Sequence, residues 1–119
     1  MLRFRLLAVA CATLVVLVAA SVGNAAVTLT GAVGPDTSFK ITLKQGSKSV
    51  KTLKAGKYTI VVKDTASTHN FHLSGPGVNK LTPVAGKGTF TWKVTLKKGT
   101  YKFECDPHKS FMKGSFTVK

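Results

Sequence analysis

The stretch GTYKFECDPHKSFMKGSFTV, residues 99–118, alternates apolar and polar residues at both of its ends and changes character in the middle. Residues 100–103 and 114–118 have the period of two that is typical of strands with one buried face. Between them, Cys105, His108 and Met112 lie within eight residues. The stretch therefore predicts two strands joined by a loop that carries a thiol, an imidazole and a thioether.

The same alternation continues upstream, and no apolar stripe of helical spacing follows residue 26. We predict seven or eight short strands, five of them at residues 27–30, 39–43, 58–63, 70–73 and 90–96. Trp92 shares the apolar face of its strand and is expected in the core. The Gly- and Pro-rich stretch 74–88 is predicted to be the longest loop. Short strands with turn residues between them are typical of an all-β, Greek-key β-sandwich.

Two segments that precede strands resemble each other. LKAGKY, residues 53–58, and LKKGTY, residues 96–101, share a leucine, a lysine, a glycine and a tyrosine at the same spacing. Nothing around them matches, so we interpret them as two uses of one turn that leads into a strand, and not as a repeat fold.

The N-terminal segment has the layout of a secretory signal. Arg3 and Arg5 precede an uncharged apolar run at residues 6–20, and small residues follow. A run of this length is shorter than the ~20 residues of a membrane-spanning helix. We therefore expect a signal peptide at residues 1–25, one domain at residues 26–119 with no transmembrane segment, and export to the periplasm or the extracellular side.

Removal of this signal would leave one cysteine in an oxidising compartment. Cys11 would leave with the signal, and Cys105 would have no partner for a disulfide. An alternative reading makes Cys11 a lipidated N-terminus, but it leaves a very short apolar run before the cysteine. An unpaired thiol is either a small buried hydrophobic residue or a ligand.

Residues 26–119 are strongly basic. They hold sixteen lysines, no arginine and the four acidic residues Asp36, Asp64, Glu104 and Asp106, for a net charge of +12. Arginine is the residue suited to bidentate recognition of bases and phosphates, so its absence argues against sequence-specific nucleic-acid binding. The lysines form either an evenly solvated surface or a field that steers an acidic partner or an anionic envelope polymer.

The cysteine loop favours a copper site. Thiolate and thioether select copper among biological metals, and two histidines, a cysteine and a distant methionine form an electron-transfer centre. The loop contributes His108 alone, so a second histidine must come from His69 or His72. In an extended segment these two point to opposite faces, so only one of them is expected to reach the metal.

Two other chemistries are weaker interpretations of the same residues. A structural zinc site needs four Cys or His ligands, and both upstream histidines would have to reach one metal. A catalytic Cys105–His108 pair needs a lowered thiol pKa, and the sequence offers neither a helix N-terminus nor an orienting third residue. We therefore predict that the protein is not an enzyme.

The cysteine loop also resembles a known family. Residues 99–108 are similar to the C-terminal copper loop of the plastocyanin/azurin family of cupredoxins, and Met112 with residues 113–118 resembles the entry into that family's last strand. The segment His-Asn-Phe-His at 69–72 is similar to the family's His-Asn motif in its amicyanin-like form. The resemblance implies a cupredoxin-like sandwich and assigns the upstream ligand to His69.

For the site, the resemblance implies one type 1 copper per chain, which alternates between Cu(I) and Cu(II). The implied ligands are His69, Cys105, His108 and Met112, with Met112 in the axial position. Asn70 is expected to form a hydrogen bond to the ligand loop near the cysteine. Three residues separate His108 from Met112, whereas plastocyanins have four and amicyanins two, so the axial bond is the least typical part of the site.

The implied function is single-electron transfer by a monomer that meets an acidic redox partner transiently. Pro107 and Phe111 are candidates for a small apolar docking patch around His108. Two alternatives stay open. The protein could deliver or buffer copper, in which case the metal should exchange fast. It could also be a basic sandwich that binds an anionic envelope surface.

Overall fold

The described part of the chain in this computed structural model is Val16 and residues 25–119. The predicted signal peptide, residues 1–25, lies outside it except for Val16 and Ala25, and so does Cys11. The strands are β1 Val27–Val33, β2 Ile41–Gln45, β3 Lys48–Ser49, β4 Thr52–Leu53, β5 Gly56–Asp64, β6 His72–Gly75, β7 Val78–Leu81, β8 Gly88–Leu96, β9 Gly99–Glu104 and β10 Lys113–Val118. One 3₁₀ turn, Asp106–His108, interrupts the β structure.

The strands form two five-stranded sheets, in the orders β3-β2-β1-β5-β8 and β4-β10-β9-β6-β7. Most neighbours are antiparallel, and the pairs β1·β5 and β4·β10 are parallel. The two sheets pack face to face, which confirms the predicted all-β sandwich. Of the ten strands, β3 and β4 are two residues long and were not predicted. The eight longer strands match the expected number.

The core lies between the sheets and comes from the alternating inward positions of the strands. In β5, every second residue from Tyr58 to Asp64 is buried, as a strand with one solvated face requires. The central buried side chains include Leu29, Ile60, Val62, Phe71, Leu73, Tyr101 and Phe116. Trp92 packs against this cluster as a partly buried residue, as predicted. Within the described part of the chain, all strands and this core lie in residues 27–118, so this segment builds the sandwich.

Two predictions about local structure are wrong. The stretch 74–88 is not one long loop, because β6 and β7 form a hairpin in which Gly75 pairs with Val78. Gly77 has a φ of 69° there, a conformation that glycine adopts without strain. Phe39, predicted in a strand, precedes β2 and is 54% exposed. The alternation of apolar and polar residues continues by chance into the loop before β2, where the residues are no longer part of the strand.

The two similar segments are indeed one device used twice. In each, the tyrosine hydroxyl bonds four residues back along the chain: the Tyr58 hydroxyl donates to the Lys54 carbonyl at 2.6 Å. The Tyr101 hydroxyl accepts from the Lys97 N–H at 2.9 Å and lies 3.0 Å from the carbonyl oxygens of Lys97 and Pro76. Both tyrosines therefore anchor the turn that leads into their strand, like a tyrosine corner.

The connections divide between two ends of the sandwich. One end, called the metal end, consists of residues 34–40, 64–72, 82–87 and 104–112. The other, called the basic end, holds the start of β1, residues 44–57, the connections at 76–77 and 97–98, and Lys119. The registers place Val33, Asp64 and Gly88 together at the first end, and Val27, Tyr58 and Leu96 near the second. Within the described residues, no helix has the length and hydropathy needed to cross a membrane.

Candidate metal centre

Three ligand-type side chains converge at the metal end. Nδ1 of His69 lies 3.1 Å from Nδ1 of His108, and the Cys105 sulfur lies 3.8 Å and 3.5 Å from these two nitrogens. His69 and Cys105 are fully buried, and His108 is half-buried. We call these three residues the donor group. The arrangement brings together the upstream histidine and the loop residues that the sequence analysis selected.

The loop after β9 folds back tightly, so that Cys105 and His108 face the same point. The N–H of His108 donates to the carbonyl of Cys105 at 3.0 Å, and the N–H of Met112 donates to the carbonyl of His108 at 2.8 Å. The N–H of Cys105 in turn donates to the carbonyl of Met112 at 3.0 Å. Met112 is 1% exposed. The loop therefore closes on itself with Met112 inside.

A carboxylate from the β1–β2 loop fixes the chain just before His69. Asp36 accepts four hydrogen bonds: the N–H and hydroxyl of Ser67 donate at 2.6 and 2.8 Å, and those of Thr68 both donate at 2.9 Å. These bonds, with the Ser67 hydroxyl as the largest cause, lower the pKa of Asp36 to about 2. The aspartate stays ionised at neutral pH and holds the approach to His69 in place.

A second carboxylate, Asp64, is buried at the end of β5, directly before the same connection. It is 1% exposed and accepts hydrogen bonds from the Ala66 N–H at 3.0 Å and the Thr82 hydroxyl at 2.8 Å. The Thr82 hydroxyl also accepts from the Phe71 N–H at 2.9 Å. Burial raises the pKa of Asp64, although its two donors partly offset this effect. Asp64, at the end of β5, and Asp36, in the β1–β2 loop, thus both hold residues 65–68, the segment that leads to His69.

Asn70 joins the His69 connection to the cysteine loop, as the sequence analysis expected. Its side-chain oxygen accepts from the N–H of Asp106 at 2.7 Å, and its amide group donates to the Asp106 carboxylate at 2.8 Å. Its own N–H points at the sulfur of Cys105, 3.5 Å away. A hydrogen bond to a ligand sulfur fixes its position and tunes its basicity.

His72 has a different environment from His69 and does not reach the donor group. Its Nδ1 pairs with a carboxylate oxygen of Asp106 at 2.7 Å, and its Nε2 lies 2.6 Å from the side-chain oxygen of Asn79. Burial would lower the pKa of His72, but the hydrogen bonds to Asp106 and Asn79 outweigh it, so the pKa is raised. The same contact helps to lower the pKa of Asp106 against the effect of its burial. His72 also groups with Glu104 and Asp106 as a cluster of ligand-type side chains.

Phe39 covers the donor group from outside, and sequence reasoning missed it. Its ring centroid lies 5.4 Å from that of His69, 5.3 Å from that of His108 and 5.5 Å from that of Phe111. Phe39 and Phe111 are 54% and 58% exposed. Pro107 is also exposed. An apolar surface therefore surrounds the half-buried ring of His108, with Phe39 as an unexpected member.

The donor group fits a bound metal better than any other partner. Two imidazole nitrogens and a sulfur face one another, and three such ligand atoms can be satisfied together by one cation. Within residues 25–119, Nε2 of His69 is buried without a hydrogen-bond partner, whereas its Nδ1 faces Nδ1 of His108 and the Cys105 sulfur. Within the same residues, Cys105 is a free cysteine. A thiolate with two imidazoles suits copper.

Comparison with known proteins supports the same conclusion. Residues 9–118 match the family model of the cupredoxin-like domain. No curated protein matches the sequence. Among solved structures, auracyanin from Roseiflexus castenholzii is similar with a TM-score of 0.54 and 21% identity, over 81% of this chain and 99% of that chain.

Two more solved structures have the same fold. Auracyanin A, a "blue" copper protein of Chloroflexus aurantiacus, has a TM-score of 0.54 and 18% identity, over 80% of this chain and 100% of its own. Reduced rusticyanin has a TM-score of 0.53 and 21% identity, over 77% and 78%. At these identities the likeness shows the fold alone, whereas the family model covers most of the sequence. The chain belongs to the cupredoxin-like family, whose members hold a copper ion.

Proposed function

We propose that this protein is an exported type 1 copper protein that carries single electrons between redox partners. His69, Cys105, His108 and Met112 would hold the copper. The convergence of the two Nδ1 atoms and the sulfur within 3.8 Å carries this proposal. Copper would supply the redox couple between Cu(I) and Cu(II).

The surrounding protein suits a site that changes charge without changing shape. The cysteine loop is closed by three backbone hydrogen bonds, and Asn70 and Asp36 tether the two segments that carry the ligands. None of these bonds uses a proposed ligand atom, so they hold the ligand-bearing segments whatever the charge of the copper. Little reorganisation is then needed when the oxidation state changes, which favours fast electron transfer.

The surface near His108 supports a transient docking role. His108 is the most exposed member of the donor group, and Phe39, Pro107 and Phe111 surround it with apolar area. Lys109 is exposed beside it. Apolar contact with basic residues near the rim favours a brief encounter with an acidic partner.

The decisive experiment adds Cu(II) to the protein and records the visible spectrum. An intense blue band from thiolate-to-copper charge transfer is expected, and it should disappear in Cys105→Ser. His69→Ala should also lose the band, whereas the matched variant His72→Ala should largely keep it. Circular dichroism of each variant shows whether the sandwich is still folded.

Three results would contradict the proposal. A colourless copper complex, or a band that survives Cys105→Ser, would exclude a thiolate ligand. A band that depends on His72 and not on His69 would exclude the proposed ligand set. Fast transfer of the copper to a chelator would favour delivery of the metal over electron transfer.

A further inference from the structure

The basic end of the sandwich carries half of the lysines in the chain and none of its acidic residues. Its eight lysines are Lys44, Lys48, Lys51, Lys54, Lys57, Lys97, Lys98 and Lys119, all exposed. The four acidic residues lie at the other end, in or beside its loops: Asp36, Asp64, Glu104 and Asp106. The charge of the protein is therefore strongly asymmetric along the strands.

None of these eight lysines is neutralised within the described part of the chain. The lysine ion pairs found among residues 25–119 are Lys87 with Asp36 at 4.0 Å and Lys102 with Glu104 at 3.4 Å. Neither pair involves the basic end. Its positive charge is available to an external anion and is screened only by salt.

The basic end is a broad and well-anchored face. Two open cavities of about 880 and 580 Å³ adjoin there and share Gln45, Thr52 and Leu53 as lining residues. Lys54 and Lys57 line the larger cavity, and Lys48 and Lys51 line the smaller one. The connections are held by backbone bonds, among them the Ala55 N–H to the Lys119 carbonyl at 3.0 Å. The lysines are thus presented from a fixed backbone.

We propose that the basic end binds the surface of an anionic lipid bilayer. Lysine ammonium groups act as point charges without the bidentate geometry of arginine, so they suit many phosphates without selecting one. Eight of them on several connections match an extended array of headgroups better than a single small anion. The chain also enters the fold at this face, where Ala25 and Val27 line the larger cavity, so any N-terminal membrane attachment reaches the domain from the basic end.

This binding would orient the donor group away from the membrane. Strand β5 has nine residues and runs from the basic end to the metal end, a distance of about 30 Å at the usual rise per residue. His108 and the apolar surface around it would then face a soluble or membrane-bound partner. The proposal does not depend on copper, because no lysine of the basic end contacts the donor group.

The test is sedimentation of residues 26–119, loaded with copper, with vesicles of phosphatidylglycerol and phosphatidylcholine at low salt. The test variant replaces Lys48, Lys51, Lys54 and Lys57 with glutamine. The control variant replaces the exposed residues Lys40, Lys63, Lys80 and Lys113, which lie outside the basic end, and so has the same net charge. Each lysine near an anionic surface changes partitioning by about fivefold. The test variant loses four lysines, so it should bind up to about 600-fold more weakly, and at least about 20-fold more weakly if only two of the four lie at the surface. The control should lose about threefold or less.

Four outcomes would overturn the proposal. Equal losses in the two variants would show that only the net charge matters. Equal binding to pure phosphatidylcholine would show that the charge plays no part. Inhibition by inorganic phosphate beyond that of sodium chloride at the same ionic strength would indicate a pocket for free phosphate. Tighter lysine-dependent binding to soluble polyphosphate than to vesicles would indicate a polymer as the partner. The blue band of each variant is recorded separately, so failure of the copper proposal is distinguishable.

Discussion

The two ends of the sandwich close the same core with connections of different length, six to eight residues at the metal end and two residues at the basic end. Different interactions hold them. At the metal end, side chains bond to one another: Asp36 accepts four hydrogen bonds, and Asn70 and His72 both bond to Asp106. At the basic end, Tyr58 and Tyr101 bond to backbone atoms, and the lysines have no ion-pair partner among residues 25–119. The metal end therefore holds the donor group in a fixed place, whereas the basic end presents positive charge to the solvent. Changes at one end should leave the other intact.

Removing copper should have the largest effect, because the metal would join the His69 connection to the cysteine loop. A ligand present at 1,000 times its dissociation constant stabilises a fold by about 4 kcal/mol. For a domain of this size, this corresponds to a shift in melting temperature of roughly 15 to 30 °C. Scanning calorimetry of copper-loaded and chelator-treated protein measures the shift.

The comparison of the two ends provides the control for this measurement. The variant with four glutamines at the basic end should show the same copper-dependent shift as the unchanged protein. His69→Ala should show little or none. A shift that survives His69→Ala would place the stabilising metal elsewhere and remove the distinction between the ends.

Asn70→Ala should weaken copper binding by about 10- to 100-fold, the usual cost of removing a group that orients a ligand. The variant loses both side-chain bonds to Asp106 while keeping the backbone N–H near the Cys105 sulfur. Competition with a chelator measures the affinity. Asn79→Ala is the matched control, because Asn79 contacts only His72 in this network, and an equal loss in the control would contradict the proposed role.

Asp36→Ala should increase the rate of copper loss by about tenfold, at the lower end of such effects. All four bonds to Ser67 and Thr68 disappear, and the loop that carries Phe39 loses its attachment to the chain before His69. Transfer of copper to an excess of chelator gives the rate. Asp36→Asn should have an intermediate rate, since its carbonyl oxygen still accepts; rates equal to the unchanged protein in both variants would make the attachment irrelevant to the site.

Tyr101→Phe should lower the free energy of unfolding by about 1 to 2 kcal/mol, because the variant loses the hydroxyl contacts to Lys97 and Pro76. Its ring still packs closely against Gly75 and stacks on Phe116. Urea unfolding measures the change. The copper spectrum should stay the same, since this tyrosine anchors the basic end. Tyr58→Phe, with one hydrogen bond to lose, should have the same sign and no greater size, and a spectral change in either variant would show that the ends are coupled.

The sequence predicted what depends on local order and missed what depends on long-range packing. Strand alternation and the spacing of Cys105 and His108 are local, so the sandwich and the cysteine loop were predicted from the residues. His69 needed the resemblance to a family as well. Asp36 had no local signal, because its partner Ser67 lies 31 positions away in the chain. Phe39 was missed because a phenylalanine next to alternating residues is typical of a strand, and the sequence does not show that its side chain is exposed.

The smallest expected effect is a pH dependence that belongs to the metal end alone, which contains all three histidines of the chain. His72 has a raised pKa when folded, so its contribution to stability is present below its ordinary value, near 6.5, and is lost as pH rises through the folded pKa. The contribution should be below about 1 kcal/mol because the pair with Asp106 is partly exposed. Urea unfolding of metal-free protein and of His72→Gln should therefore differ more at pH 5.5 than at pH 8.5. Vesicle binding should not change between pH 5.5 and pH 7, because the described part of the basic end has no histidine or carboxylate side chain to titrate and an N-terminal amine stays largely protonated in this range. A change there would mean that the charge of the metal end also acts at the membrane.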